Sequence, residues 1–347
     1  MPTTHVFAGP QVEHLSLSRV RRRAQCARMD WWQTEGARDG YRRDASPTAR
    51  TAYALKKLTS LPAVVGDAVH HAAATRARCL RDGLRPPSLD EMRATVRERL
   101  NAAVTSRNVE RFLARPSHTP MLREVFHNEW PGGRIPADVV DETRAKVESL
   151  LRVMMVHPVW ADLAHCGRGD IVVCDALDAL EIEVNGAPVR VYAAPDLVWI
   201  SHEPQYVPGF GVPLLPPVVT ILDWKTGRPS AAEEQARTQL AVYAWWVREK
   251  LALPVTPAAF IGRVANLGAS HAEDIDCRFV LYPEDVARGR RIIGDAGAAI
   301  IASRHADGTL PMEAAPRSLT ACRWCAFTSI CADASTVSEQ ARGGADA

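Results

Sequence analysis

The stretch VVTILDWKTG, from Val218 to Gly227, is the part of the sequence from which the fold is inferred. Its first five residues are apolar or β-branched, which is typical of a buried strand. Because side chains two apart share one face of a strand, Asp223 and Lys225 are expected to project together, with Trp224 on the opposite face. Two charged groups at the end of a buried strand are costly to desolvate, so they indicate a functional pair; a plain ion pair at a strand end is the alternative.

The composition is that of an ordinary globular chain. The 347 residues suffice for one large domain or two modest ones, with 47% hydrophobic and 24% charged residues. A net charge of +2 gives no global basic field that would indicate nucleic acid. No secretory signal or membrane-spanning run is visible, so a cytoplasmic protein without a membrane partner is expected. The absence of Walker-type and GxGxxG motifs leaves a kinase, a P-loop ATPase and a dinucleotide enzyme unsupported.

The positive charge is carried almost entirely by arginine. Only five lysines occur, and they are Lys56, Lys57, Lys146, Lys225 and Lys250. Arginine suits bidentate contacts to phosphate, but a compositional bias of the genome explains the same excess equally well.

A helix is predicted to begin at Ser60, with Pro62 in its first turn. Gly66 and His70 lie four residues apart and therefore on one face of this helix. A glycine inside a helix costs about 1 kcal/mol relative to alanine, so Gly66 indicates close approach by another backbone. A single helical histidine such as His70 is more often a core or surface residue than a ligand.

Two further polar features flank the opening stretch. Asp196 follows Pro195 and stands at the start of an apolar strand. The helix predicted over residues 231–251 carries Gln239 and Tyr243 four residues apart, hence on one face. A partly buried amphipathic helix with core aromatics is the simpler interpretation of that pair.

These four features, in this order and spacing, resemble the PD-(D/E)xK nuclease superfamily. They are most similar to its RecB-type branch, which includes the nuclease domains of RecB and AddB and the CRISPR-associated spacer-acquisition exonucleases. The resemblance runs from Cys26 to Cys331 and is weakest over residues 80–165. It implies an α/β fold with a restriction-endonuclease-like core, in which a mixed central sheet is flanked by helices and carries a helical insertion.

The resemblance also implies a site for Mg²⁺ or Mn²⁺. Its metal ligands would be His70, Asp196, Asp223 and the backbone carbonyl of Trp224, whose side chain would be free to vary. Hard oxygen ligands suit Mg²⁺, and a nitrogen ligand would also favour Mn²⁺. Lys225 would position the attacking water and offset charge in the transition state. Gln239 and Tyr243 would contact the DNA backbone or brace Lys225.

Eight cysteines in a cytoplasmic chain are not an extracellular disulfide framework. Four occur singly and are expected to be buried small hydrophobic residues, namely Cys79, Cys166, Cys174 and Cys277. The other four resemble the cysteine ligands of the 4Fe–4S cluster found in the same branch, and they are Cys26, Cys322, Cys325 and Cys331. Cys26 would be the upstream ligand and would lie in an N-terminal helix. Structural Zn²⁺ is the alternative, since four cysteines also suit tetrahedral zinc.

The domain organisation expected from these patterns is one nuclease domain over residues 1–335. Its parts are a mostly helical segment at 60–165, a catalytic sheet core at 169–304, and an iron–sulfur clasp formed by 16–32 with 315–335. Residues 16–32 are expected to be one helix, 33–59 polar and irregular, and 336–347 a disordered tail. The dipeptide Asn185–Gly186 predicts a tight hairpin between two strands.

The expected function is a metal-dependent DNA nuclease, an exonuclease acting on single-stranded ends or flaps. No helicase motif is visible, so a helicase or recombination partner would be a separate protein. DNA repair, recombination, phage-associated processing and CRISPR adaptation are all open settings. The alternative is a non-catalytic DNA-binding scaffold with a nuclease-like fold and a Cys₄ zinc site.

Overall fold

The computed structural model describes residues 12–103, 109–114, 121–130, 133–227, 233–253, 255–313, 322 and 325–331. The strands are β1 (Glu13–Leu15), β2 (Leu58–Thr59), β3 (Met121–Leu122), β4 (Ile171–Cys174), β5 (Asp178–Val184), β6 (Ala187–Ala193), β7 (Leu197–Ser201), β8 (Val218–Lys225), β9 (Ala259–Asn266) and β10 (Asp276–Leu281). The helices are α1 (Leu17–Gln25), α2 (Ala27–Trp31), α3 (Pro47–Leu55), α4 (Leu61–Asp82), α5 (Leu89–Ala103), α6 (Val109–Ala114), α7 (Arg123–Phe126), α8 (Ala137–Met155), α9 (Val159–Ala164), α10 (Glu233–Lys250) and α11 (Pro283–Ser303). The predicted disordered tail lies outside the described residues.

The central sheet has five strands in the order β10-β9-β8-β7-β4. The pair β8–β9 is parallel, and the other three pairs are antiparallel. The parallel pair is joined through α10, as a parallel connection requires a crossover element. The sheet is therefore mixed, and β8, which carries the opening stretch, lies at its centre.

Helices cover both faces of this sheet, and β8 contributes to both cores. Val219 and Ile221 pack in one core with α10, α11 and the smaller three-stranded sheet. Leu222 and Trp224 pack in the other core with α4, α5, α8 and α9. Burial on both faces explains why the strand reads as a continuous apolar run rather than an alternating one. The predicted α/β architecture with a mixed central sheet flanked by helices is confirmed.

Two smaller sheets complete the described strands. One has the order β1-β6-β5, and the other is the parallel pair β2–β3. The hairpin β5–β6 turns at Asn185 and Gly186, whose φ angles of 51° and 77° lie in the left-handed region. The hairpin predicted from this dipeptide is therefore confirmed.

The N-terminal helices pack against the C-terminal part of the chain. Arg23 forms an ion pair with Glu313, and Arg28 donates a hydrogen bond to the Glu313 carbonyl. The Trp31 indole donates to the Leu310 carbonyl at 2.9 Å. The same region contains a buried network of ion pairs. Arg19 pairs with Glu13 and Asp30, and Arg304 pairs with Glu13. Truncating one member of such a network would leave a buried charge uncompensated.

Two sequence expectations about the N-terminal region are wrong. Residues 16–32 do not form one helix, because Cys26 has extended φ and ψ angles of −161° and 110° and separates α1 from α2. Residues 33–59 are not irregular, since they contain α3 and β2, and a π-helical turn spans Trp32–Gly36. Helix α3 was missed because two of its three buried residues, Ala52 and Ala54, are too small to give a strong apolar period.

The expectation for the single cysteines is correct only in part. Cys174 is buried, Cys79 and Cys166 are half-buried, and Cys277 on β10 is exposed. The exposure of Cys277 could not be predicted, because the position of a lone cysteine in the sequence does not show which face of an edge strand such as β10 it occupies. Among the described residues, no helix has both the length and the apolar character needed to cross a bilayer.

Candidate active site

Four elements bring the predicted site residues together at the carboxyl end of β8. Asp223 and Lys225 lie on β8, and Asp196 immediately precedes β7, the antiparallel neighbour of β8. His70 comes from α4 on one side, and Gln239 from α10 on the other.

Asp196 is held by two donors from different parts of the chain. Its Oδ2 accepts a hydrogen bond from the backbone N–H of Trp224 at 2.7 Å. Its Oδ1 lies 3.2 Å from Nδ1 of His70. Burial alone would lower the pKa of His70, but the hydrogen bond and the charges of Asp196 and Asp223 raise it. The contact fixes the imidazole over the start of β7.

Asp223 and Lys225 do project from one face of β8, as the two-residue spacing predicts. The Lys225 ammonium forms an ion pair with Oδ2 of Asp223, whose carboxylate is buried. Burial raises the pKa of Asp223, and the neighbouring Asp196 carboxylate raises it further against the opposing effect of Lys225. The Lys225 side chain is 41% exposed, so the ammonium is accessible from solvent.

The second oxygen of Asp223 is held by α10. The Gln239 side-chain amide donates to Oδ1 of Asp223 at 3.1 Å and also contacts the Tyr243 hydroxyl at 3.1 Å. Burial raises the pKa of the Tyr243 phenol, and the Asp223 charge adds to this effect, so the hydroxyl stays protonated. Gln239 therefore braces Asp223 directly, whereas the expectation from sequence was a brace for Lys225 or a DNA contact.

Helix α4 approaches the end of β8 closely at Gly66. A Cβ placed on Gly66 would lie 3.1 Å from the Thr226 hydroxyl oxygen. The close approach expected from this mid-helix glycine is present, but the neighbour is a side chain and not a backbone. The backbone of Lys225 is fixed on its other side, since its carbonyl accepts from the Leu267 N–H at 2.7 Å.

The Trp224 side chain is packed in the opposite core. It is 2% exposed, stacks on Trp160 at a centroid separation of 5.7 Å, and meets the His157 ring edge-on at 5.3 Å. The resemblance leaves the identity of this side chain open, and in this chain the indole fills the space between those two rings. No sequence pattern marked His157 or Trp160, since both lie more than sixty positions from Trp224.

His157 itself is anchored as a neutral ring. Burial, followed by the nearby charge of Arg263, lowers the pKa of His157 to about 4. At neutral pH its Nδ1 therefore accepts from the Val159 N–H at 3.2 Å, and its Nε2 donates to the Ile275 carbonyl at 3.3 Å. These bonds hold the ring against Trp224, which in turn fixes the strand end that carries Asp223.

Truncation of Trp224 is expected to weaken both the fold and the site. Trp224→Ala should lower the free energy of unfolding by about 3–5 kcal/mol, because it leaves a large cavity between Trp160 and His157. Trp224→Phe, which keeps an aromatic ring, should cost less than half as much. Urea unfolding measures both effects, and Tyr206→Ala, at a residue 71% exposed, is the matched control. Equal stability of Trp224→Ala and the control would contradict this packing role.

A model of the PD-(D/E)XK nuclease superfamily matches residues 14–332, which is most of the chain. The chain belongs to the PD-(D/E)XK nuclease superfamily. Members of this superfamily are nucleases that generally depend on a metal ion, and the α/β core described above is the restriction-endonuclease-like architecture of the group.

Similarity to individual proteins is low. One solved structure, described as "Crystal structure of SSO0001", is 13% identical with a TM-score of 0.28, and the alignment covers 57% of this chain and 78% of that one. No curated protein matches the chain.

The chemistry of a PD-(D/E)XK site can be tested against the side chains present. Within the part of the chain that the structure describes, no three side chains among His, Cys, Asp and Glu form a ready-made ligand set for a metal. The carboxylates of Asp196 and Asp223 instead contact hydrogen-bond donors and charged groups of the protein itself. The buried Oδ2 of Asp223 makes no hydrogen bond with the described residues, and the Lys225 ammonium pairs with it. Two buried carboxylates supply the oxygen ligands that suit a hard divalent cation.

The thiol of Cys325 is affected by the other three cysteines of the predicted clasp. Burial raises the pKa of the Cys325 thiol to about 11, and the neighbouring sulfurs of Cys26, Cys331 and Cys322 act in the same direction. The Cys26 sulfur also accepts from the Met29 N–H at 3.3 Å. No disulfide joins the eight cysteines, all of which are described.

Proposed function

We propose that this PD-(D/E)XK protein is a Mg²⁺- or Mn²⁺-dependent deoxyribonuclease that hydrolyses phosphodiester bonds at the carboxyl end of β8. The observation that carries the proposal is that Asp196, bonded to the Trp224 N–H, lies close enough to Asp223 to raise its pKa, beside the Lys225 ammonium. Metal ligands would be His70, Asp196, Asp223 and the carbonyl of Trp224.

A bound divalent cation would supply positive charge to the anionic phosphate and lower the pKa of its water. The chain's own residues supply the rest. Lys225 reaches solvent with its ammonium at Asp223, so it can orient a water for attack and offset negative charge that develops on the phosphate oxygens. Gln239, backed by Tyr243, holds the Asp223 carboxylate in one orientation. The Trp224 N–H does the same for Asp196.

Burial of both carboxylates also supports the proposal. Asp196 is 9% and Asp223 5% exposed, with the Lys225 ammonium at Asp223 and the His70 ring at Asp196. Buried carboxylates in such proximity repel each other unless a proton or a cation compensates them. This arrangement favours a catalytic site over the plain ion pair that the strand end could otherwise represent.

The finer assignments extend this proposal. We infer a RecB-like exonuclease that acts in the cytoplasm on single-stranded ends or flaps and works with a separate helicase or recombination partner. Cys26, Cys322, Cys325 and Cys331 would hold a 4Fe–4S cluster, with Zn²⁺ as the alternative occupant. The burial of Cys26 and its position at the break between α1 and α2 support a ligand role for it.

The test is a cleavage assay with end-labelled single- and double-stranded DNA, each with Mg²⁺, with Mn²⁺ and with EDTA. We expect progressive shortening of the single strand with either metal and intact DNA in EDTA. A circular single strand should survive if the enzyme requires an end. DNA that is bound but left intact under every condition would instead identify the non-catalytic scaffold.

A further inference from the structure

A surface next to the N-terminal helices brings together two lysines and two tyrosines. It consists of Tyr41, Tyr53, Lys56 and Lys57, and is called the lysine–tyrosine surface below. Two of the five lysines of the chain are consecutive here, at the end of α3. None of these four residues belongs to the site at the end of β8.

Both ammonium groups lie over the same ring. The Nζ atom of Lys56 is 4.8 Å from the Tyr53 ring centroid, and that of Lys57 is 5.4 Å from it. Within the described ranges, neither ammonium forms an ion pair with a carboxylate. Two like charges held about 10 Å apart or less repel each other. Burial lowers the pKa of Lys56, and the charges of Lys57 and Arg22 lower it further. The surface thus has an uncompensated positive charge that an anion would relieve.

An exposed aromatic ring lies beside the lysines. Tyr41 is 65% exposed, and its ring is 5.8 Å from that of Tyr53 at an interplanar angle of 57°. The loop can place Tyr41 there because Gly40 packs on α3 with no room for a Cβ against the Ala49 carbonyl and Tyr53. Exposed aromatic rings next to lysine are the usual platform on which single-stranded nucleic acid stacks its bases.

The chain itself limits the distance from this surface to the proposed cleavage site. Lys57 is followed by β2 and then by α4, which carries Gly66 in its second turn. The extended segment and the helical rise together put Lys57 no more than about 22 Å from Gly66. A strand of several nucleotides can span this distance.

We propose that the lysine–tyrosine surface binds the phosphates and a base of a single-stranded nucleic acid whose scissile bond lies at the end of β8. This inference rests on the proposed function for the identity of the second site. The net charge of only +2 means that attraction to a polyanion has to come from local groups such as Lys56 and Lys57. A phosphate between the two ammonium groups would remove their mutual repulsion.

The test measures binding of fluorescein-labelled dT₂₀ and U₂₀ to the full chain in EDTA, by anisotropy over a range of salt concentrations. The double variant Lys56→Gln/Lys57→Gln should bind about tenfold more weakly at low salt, and the slope of log K against log salt should fall by about 1.4, as expected for two lost contacts. Tyr41→Ala should weaken binding about fivefold or more, through loss of stacking. If these substitutions weaken the binding of dT₂₀ more than that of U₂₀, the surface prefers DNA; the opposite result shows a preference for RNA.

The matched control is Lys146→Gln/Lys250→Gln, which removes the same charge from an exposed lysine on α8 and from a lysine paired with Asp178. It should leave affinity and salt slope near wild type. If the test and control double variants bind dT₂₀ with the same affinity, and also bind U₂₀ with the same affinity, the inference is overturned, whatever the result of the cleavage assay. Loss of affinity for polyglutamate alone would assign the surface to an acidic protein partner and overturn it as well.

Cleavage provides a second readout. Hydrolysis of a thymidine dinucleotide should depend much less on Lys56 and Lys57 than hydrolysis of dT₂₀ does, because the dinucleotide has no flanking strand for the lysine–tyrosine surface to hold. Hydrolysis of dT₂₀ at subsaturating concentration should fall about tenfold in that variant. A protein that binds dT₂₀ through the two lysines but cleaves nothing would refute the proposed nuclease and leave only the binding role of the lysine–tyrosine surface standing.

Discussion

Asp223→Asn is expected to reduce metal-dependent DNA cleavage at least about a thousandfold, equivalent to roughly 4 kcal/mol of transition-state stabilisation. The amide keeps the shape of the side chain and can still accept the hydrogen bond from Gln239 at its oxygen. It loses the negative charge that would bind the cation and that now pairs with Lys225. The rate with Mg²⁺ or Mn²⁺, measured on single-stranded DNA at saturating metal, checks the prediction.

Stability measurements separate this loss of function from misfolding. Asp223 is buried, and a neutral amide costs less to bury than a carboxylate, so the metal-free variant should unfold at the wild-type temperature or above it. Mn²⁺ should raise the melting temperature of the wild type by mass action and should have no such effect on Asp223→Asn. Asp178→Asn, at an exposed carboxylate on β5, should behave as wild type in both assays. Wild-type cleavage by Asp223→Asn would contradict the assignment of the site.

The central part of the fold could be predicted from sequence because its signals are local. The apolar run before Asp223 gave a strand buried on both faces, and the two-residue spacing placed Asp223 and Lys225 together. Asn185–Gly186 identified the β5–β6 hairpin. In each case the structural constraint acts over a few neighbouring residues, so the residue types themselves state it.

What the sequence did not reveal depends on contacts between distant segments. Trp224 is fixed by Trp160 and His157, and Gln239 contacts Asp223 rather than Lys225. Neither contact has a period or a spacing that a pattern could detect. Helix α3 was missed for a different reason, since small buried alanines produce little contrast between its faces.

The second large effect is expected at the four clustered cysteines. Cys325→Ser should remove the metal of the proposed cluster and lower the free energy of unfolding by about 5 kcal/mol. The reason is that Cys26 and Cys322 are separated by about 300 residues, and a covalent link across such a loop is worth about 5–6 kcal/mol in the chain-entropy estimate made for disulfides. Urea unfolding, iron content and visible absorbance of the purified protein measure the effect.

The cysteine variants also identify the metal and its ligands. The wild type should be brown with broad visible absorbance, and Cys26→Ser should lose this colour as Cys325→Ser does, because a cluster held by four thiolates loses a ligand in either variant. Cys277→Ser, at an exposed cysteine on β10, is the control and should keep both colour and stability. A colourless wild type with one zinc per chain would assign the site to structural Zn²⁺. Full iron content in Cys26→Ser would exclude Cys26 and leave its burial against the C-terminal segment as packing alone, held by the contacts of Arg28 and Trp31.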